Sequence, residues 1–300
     1  MLLSTYDGAR FLPDQLRSLA DQKDVAWELR WRDDGSQDDS VSLVRRFVRE
    51  TPPPGGAIEH RDDVHRGIAG SFFALLREVG PGRPVAFADQ DDLWLPHKLR
   101  RGRDALAAVP PEVPALYCAR QHLVDERLQL LGPSPLLHQP IGFPAALTQN
   151  VATGCTVMLN PAAVRLVVGS TPPPETLHDW WCYLLVSAAG GRVIVDPEPV
   201  MFYRQHGNNA VGAARSVWRR GRDALRRGPD GFMFLLQRHL ASLDAHQQLL
   251  TPAAARLVVR LRRDLQRGSA ARLRVLVAAP AMVRQTAIET LLFRLWFLFG

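Results

Sequence analysis

Over the first 120 positions the apolar residues recur first at every second place and then at every third or fourth. That is the signature of strands alternating with helices in an α/β domain with a largely parallel sheet. Leu2-Leu3-Ser4 reads as the end of a short strand, and Pro13 opens a helix whose apolar side is Leu12, Leu16 and Leu19. Val25, Trp27, Leu29 and Trp31 alternate as a second strand. Asp38 or Asp39 stands ready to cap a helix carrying Val41, Val44, Phe47 and Val48. The run Pro52–Gly56 breaks the pattern, and a helix over about 68–79 leads into the strand Pro84–Ala88, after which Pro96 starts another helix.

The middle is less periodic. Tyr117-Cys118-Ala119 and Gly154–Leu159 read as strands, 130–147 as a proline-punctuated loop, and Asp179–Ala189 as a helix followed by short strands near 192–195 and 199–203. Beyond Gly212 the pattern is helical and studded with arginine, which divides the chain into 1–212 and a helical region 213–300. The closing run Leu291–Phe299 is interrupted by Arg294 and is shorter than the roughly 20 apolar residues a membrane span needs. It is suited to lying in a membrane interface.

Charge sharpens that division. Residues 213–300 hold 16 of the 37 basic and 5 of the 30 acidic residues, an excess of eleven positive charges, whereas the formal total is +7. An acidic body with a basic extension argues against nucleic-acid binding and for a partner such as an anionic membrane surface. An arginine-rich composition is the plainer reading, because lysine occurs only at Lys23 and Lys98. Three cysteines without a CxxC pair indicate neither a disulfide framework nor a zinc finger. The opening residues carry no basic segment followed by an apolar one, so no signal peptide is expected. Together these point to the cytoplasm, with peripheral attachment to the inner face of the cell membrane.

Two acidic clusters fall at strand ends, Asp33-Asp34 and Asp89-Gln90-Asp91-Asp92. Ligands of open α/β sheets bind outside the carboxyl ends of strands, so both clusters are expected to line one cleft. Asp-x-Asp after an apolar strand suits Mg²⁺ or Mn²⁺ bound together with substrate phosphates, although a solvated turn has the same sequence. Asp33-Asp34-Gly35-Ser36 could hydrogen-bond a ribose or form an ordinary Asp-Gly turn, and Tyr6 could stack on a base.

Taken in order, six blocks resemble glycosyltransferase family 2, with its GT-A fold, and its bacterial rhamnosyltransferase-like members. They are Leu3–Gly8 with Phe11-Leu12 and Gln15-Leu16; Arg32–Ser36 with Asp38; Phe87–Pro96 with Lys98-Leu99; Thr153–Thr156; His178–Trp181; and Tyr203–Asn209. The resemblance covers about residues 2–212. It implies an α/β fold with a mixed, mostly parallel sheet flanked by helices, and a nucleotide-sugar donor held by Thr5, Tyr6, Asp33, Asp34, Asp89, Arg204 and Gln205. It further implies a metal at Asp89, Asp91 and His206, with Asp92 in support, and Asp179 as the base that takes the acceptor proton. By residue type alone Asp179 reads as an N-terminal helix carboxylate.

The expected activity is inverting, Mg²⁺- or Mn²⁺-dependent sugar transfer, possible donors including dTDP-L-rhamnose, to a cell-surface glycan or lipid-linked acceptor. Two departures stand out: the first strand starts several residues later than usual, and Asp7 and Ser71 occupy positions where asparagine is common. A nucleotidyltransferase is the alternative enzyme, but Ser4–Gly8 lacks the basic residues of a triphosphate loop. An inactive membrane-docking scaffold would be favoured by loss of Asp91 or Asp179, and both are present.

Overall fold

The computed structural model describes residues 1–207 and 217–300, with 217–229 by backbone alone. Strand β1 (Leu2–Thr5) is followed by α1 (Leu12–Ala20), β2 (Leu29–Asp33), α2 (Ser40–Glu50), β3 (Ala57–His60), α3 (Gly67–Arg77) and β4 (Val85–Ala88). This is the alternating unit expected from the periodicity, and β3-β2-β1-β4 pair in parallel throughout. Next come β5 (Leu93–Trp94), α4 (Lys98–Ala107), β6 (Ala115–Val124), β7 (Leu130–Pro133), β8 (Met158–Leu159), α5 (Pro161–Val168), α6 (His178–Ala188) and β9 (Arg192–Arg204). Helices α7 (Val217–Ala245), α8 (Pro252–Leu265), α9 (Ser269–Ala278) and α10 (Ala287–Phe299) complete the order.

The sheet runs β3-β2-β1-β4-β8-β6-β9-β5, with β7 on the side of β6. β8 joins β4 to β6 in antiparallel fashion, and β6 and β9 then run parallel over most of their length. Mixed, mainly parallel pairing is therefore observed as expected. Alternation along β1 sends Leu2 into one apolar cluster, shared with α3, α5 and α6, and Leu3 into the other, shared with α1 and α4.

Several local expectations are corrected. The second strand begins at Leu29, not Val25, because Gly55 N–H donates to the Trp27 carbonyl (2.8 Å) and holds that stretch in a loop. Gly154–Thr156 is a 3₁₀ turn, leaving Met158–Leu159 as the strand. The two strands near 192 and 199 are one, β9, whose register against β6 shifts around Arg120. β7 lies inside the segment read as loop, and β3, β5 and α5 arise where no element was expected. The boundary at 212 lies outside the described residues. Met233, Leu236 and Leu240 of α7 and Val258 and Leu261 of α8 share one core with Trp181, Leu184 and Leu185 of α6. Among the described residues no helix is long and apolar enough to cross a membrane.

Arg32 is buried within β2 and organises the first loop cluster. It donates to Asp34, to Asp62 Oδ1 (2.6 Å), to Ser71 Oγ (2.6 Å) and to the Val64 carbonyl. Burial alone would raise the Asp34 pKa, but the Arg66 amide, Arg32 and the Gly67 amide at the start of α3 hold it below the usual carboxylate range. Arg32→Met leaves Asp34 buried without its charge partner. The expected cost is about 3–5 kcal/mol, read as a lowered urea midpoint.

Candidate active site

Three strand ends meet because of register. Thr5 pairs with Asp33 and Leu3 with Ala88, so Tyr6, Asp34 and Asp89 leave the sheet side by side. Gln90 then clamps the first loop: its Oε1 accepts from Tyr6 N–H (2.8 Å) and its Nε2 donates to the Tyr6 carbonyl (2.9 Å). A Cβ at position 8 would stand 2.2 Å from Gln90 Oε1, so a larger residue there would displace the clamp. Of the two expected helix caps, Asp39 occupies the N-cap position of α2 without a side-chain capping bond, and Asp38 accepts from Ser40 N–H (2.9 Å) at the helix start and from Ala9 N–H (2.9 Å).

Asp33 and Asp34 separate in role. Asp33 accepts from Thr5 Oγ1 (2.8 Å), Ser36 Oγ (2.6 Å) and the Gly35 and Ser36 amides (3.0 and 2.7 Å), at the rim of the cleft. Thr5 is buried behind it. Asp34 turns inward onto Arg32 and α3. Tyr6 is exposed, its ring 5.1 Å from that of His65. These side chains, with Val41, Arg45 and Val64, line a cleft of about 580 Å³.

The second cluster is assembled by β5 pairing with the end of β9, Leu93 against Phe202 and Trp94 against Met201. That contact sets the Asp89–Asp92 turn beside residues 204–206. His206 Nε2 lies 2.7 Å from Asp91 Oδ2, and its ring stacks on Phe11 at 4.8 Å. Arg204 faces inward: its amide donates to Asp92 Oδ1 (3.1 Å), and its guanidinium to the Asp91 and Glu126 carbonyls (both 2.9 Å) and to Asp14 Oδ2 (3.0 Å). Gln205 adds a main-chain bond to Val124 (2.8 Å), while its side-chain Nε2 is buried with no hydrogen-bond partner among the described residues.

Asp179 lies in the first turn of α6 and accepts from Trp180 N–H (2.6 Å). Burial pushes its carboxyl up to about 6, against the Trp180 amide, the Asn150 side chain and the Gly154 amide, which favour the charged form. Gly154 permits the approach, since a Cβ there would come within 2.8 Å of His178 Nε2 and 3.4 Å of Asp179 Oδ2. His178 packs against Phe72 and Phe87 (4.2 and 4.8 Å) and is kept neutral by burial, with a pKa of about 3. Asp89 is raised by burial and then by the charges of Asp91 and Asp179, so the candidate base and the acidic turn share one electrostatic environment.

Among the described residues, the tight set of potential metal ligands is Asp89, Asp92 and Cys155, whose ligand atoms lie within 4.8 Å of one another. The expected trio is divided: Asp91 and His206 are together, and Asp89 sits with the buried pair. Burial, then Asp92 and Asp89, hold the Cys155 thiol well above its usual range, so it stays neutral and a poor donor for oxygen-seeking cations. Asp92 is also raised by burial and by its carboxylate neighbours. Asp89, Asp91 and His206 remain a chemically suitable donor set, and the repulsion on Asp89 is of the kind a dication relieves. Phe11, Asp14, Gln90, Glu126 and Asn150 were not singled out from the sequence; of these, Phe11 and Gln90 lie within the matched blocks.

Residues 2–158 match the family model described as glycosyl transferase family 2. The chain is 27% identical over 227 residues to the dTDP-rhamnosyl transferase RfbG of Shigella flexneri, covering 70% of this chain and 74% of that protein. The structure resembles S. aureus TarS in complex with UDP-GlcNAc, with a TM-score of 0.58 and 14% identity over 88% of this chain and 70% of that one. It also resembles the mannosyltransferase PcManGT from Pyrobaculum calidifontis in complex with GDP-Man and Mn²⁺, with a TM-score of 0.53 and 19% identity over 99% of this chain and 83% of that one.

Proposed function

This chain belongs to glycosyl transferase family 2, and from that premise we propose that it is an inverting, divalent-metal-dependent enzyme using dTDP-L-rhamnose. The acceptor is a hydroxyl of a growing cell-surface glycan or of a lipid-linked precursor. It is a glycosyltransferase with the GT-A fold. The observation that carries the finer reading is a buried carboxylate, Asp179, within electrostatic reach of the Asp89–Asp91 turn. RfbG supports the donor by its name, and the Mn²⁺ complex of PcManGT supports the metal.

In this reading Tyr6 and Asp33 hold the nucleoside, with Thr5 fixing Asp33 and Asp34 fixing the loop. Asp89, Asp91 and His206 hold Mg²⁺ or Mn²⁺, which when bound offsets the charge of the departing diphosphate. Arg204 acts by locking the Asp91–Asp92 turn, and Gln205 offers its buried amide to the same region. Asp179 accepts the proton of the acceptor hydroxyl as oxygen attacks the anomeric carbon on the face opposite the diphosphate.

Residues 1–212 form the catalytic unit and 213–300 a basic helical region that seats on the inner face of the cell membrane. Ile288, Leu291, Leu295 and Phe299 support the seat: they fall at i, i+3, i+7 and i+11 of α10 and are exposed by 61, 60, 43 and 77%.

In a thermal-shift assay, Mn²⁺ with dTDP should stabilise the wild type and lose that effect in Asp91→Ala; an undiminished shift rejects the metal assignment. Asp179→Asn should bind the donor normally while transfer falls about 10²-fold or more. The base must be deprotonated, so wild-type turnover should rise with pH through about 6, and unchanged turnover in Asp179→Asn removes it as base. Flotation with phosphatidylglycerol vesicles should be lost in a Leu291→Asp, Leu295→Asp double variant; equal recovery of both proteins rejects the seat.

A further inference from the structure

Loop 134–150 lies between α6 and the connection that joins α9 to α10, and its regular structure is limited to the 3₁₀ turn Ala145–Leu147. On one side it is fastened to α6. The Ala146 carbonyl accepts from Trp180 Nε1 (2.8 Å), Gly142 N–H donates to the Tyr183 hydroxyl (3.0 Å), and the Asn150 side chain faces the Asp179 carboxylate. On the other side it is fastened to the connection between α9 and α10. Gln285 Oε1 accepts from both His138 N–H (2.9 Å) and Gln139 N–H (3.1 Å), and Gln285 N–H donates to Gln149 Oε1 (2.9 Å). Thr148 Oγ1 shares its one proton between the Val283 carbonyl (2.6 Å) and the Ala145 carbonyl of the loop itself (2.8 Å). These four bonds span 135–147 residues of sequence, so the C-terminal helices act as a strap over the loop.

An acceptor hydroxyl must arrive within hydrogen-bond reach of its base, so whatever walls that carboxylate shapes the acceptor site. We propose that Gln285 is a positioning residue for the acceptor side: through it and Val283, the C-terminal helices hold loop 138–150 so that Asn150 and Trp180 frame the space before Asp179. This rests on the reading of Asp179 as the base. One side-chain oxygen fixes two loop amides, a geometry that glutamate can keep and alanine cannot.

The test compares Gln285→Ala, Gln285→Glu and Thr148→Val with the wild type, using amide hydrogen exchange of the 138–149 segment and initial rates with dTDP-L-rhamnose, Mn²⁺ and an alkyl rhamnoside as acceptor probe. Gln285→Ala and Thr148→Val should speed exchange of the segment about tenfold and raise the acceptor KM about tenfold without raising the donor KM, because small misplacements at a reacting centre have effects of that size or larger. Gln285→Glu should restore both. Unchanged exchange in Gln285→Ala and Thr148→Val overturns the strap, and faster exchange with an unchanged acceptor KM overturns its role at the acceptor site. If Gln285→Ala does not fold, Thr148→Val and Gln285→Glu decide the same two points. Full activity of Asp179→Asn would instead remove the base, a failure separable from any result at Gln285.

Discussion

Carboxyl groups crowd one end of the sheet, three of them in the turn Asp89–Asp92 and a fourth at Asp179, and burial favours the neutral forms of Asp89, Asp92 and Asp179. Two buried cations hold the crowd in place. Arg204 ties the turn to β9 through Asp92, the Asp91 carbonyl and Asp14, and its guanidinium lies 4.5 Å from the centre of the Phe11 ring. Lys98 lies beneath, its Nζ donating to the Cys155 carbonyl and standing 3.2 Å from the Trp94 ring centre, with its pKa lowered by burial to about 7. The acidic groups are thereby fixed before any ligand arrives, which is the condition for electrostatic catalysis without reorganisation.

Much of this frame was legible in the sequence. The strands before Asp33 and Asp89 announce themselves by apolar alternation or an apolar run, and parallel pairing places their acidic ends at the same end of the sheet, although the cleft beside Tyr6 is lined by Asp33 and Asp34 and not by Asp89–Asp92. The sequence alone could not distinguish Asp33 from Asp34. Their separation depends on Arg32, whose partners Asp62 and Ser71 lie 30 and 39 residues away. Arg204 is expected from the sequence as a donor ligand, and its contacts with the Asp91 and Glu126 carbonyls and with Asp14, 190 residues distant, appear only in the tertiary structure. The short strands β3 and β7, Ala-Ile-Glu-His and Leu-Leu-Gly-Pro, carry too little pattern to be recognised. Gly154–Leu159 misleads in the opposite way: it is apolar enough for a strand, yet the Thr156-to-Thr153 and Val157-to-Gly154 bonds make its first half a turn.

Composition also describes the C-terminal region imperfectly. Four of its sixteen basic residues are paired with carboxylates: Arg238 with Glu175, Arg262 with Asp244, and both Arg260 and Arg263 with Asp264. Arg272 binds the Leu265 and Phe297 carbonyls. Exposed pairs of this kind add little stability, but they reduce the charge presented to a distant surface. The apolar burial of α7 and α8 against α6 is what distinguishes a packed bundle from a solvated tail, and that contact is tertiary.

The two faces of this bundle are mechanically linked. α10 begins directly after Gln285 with Thr286 as N-cap, its Oγ1 accepting from Glu289 N–H (3.2 Å) and donating to Glu289 Oε2 (3.0 Å). The helix that carries the exposed stripe is therefore joined directly to the residue that straps loop 138–150. If the stripe rests on lipid, the loop framing Asp179 is held at a set height above the bilayer, where a lipid-linked acceptor would present its hydroxyl.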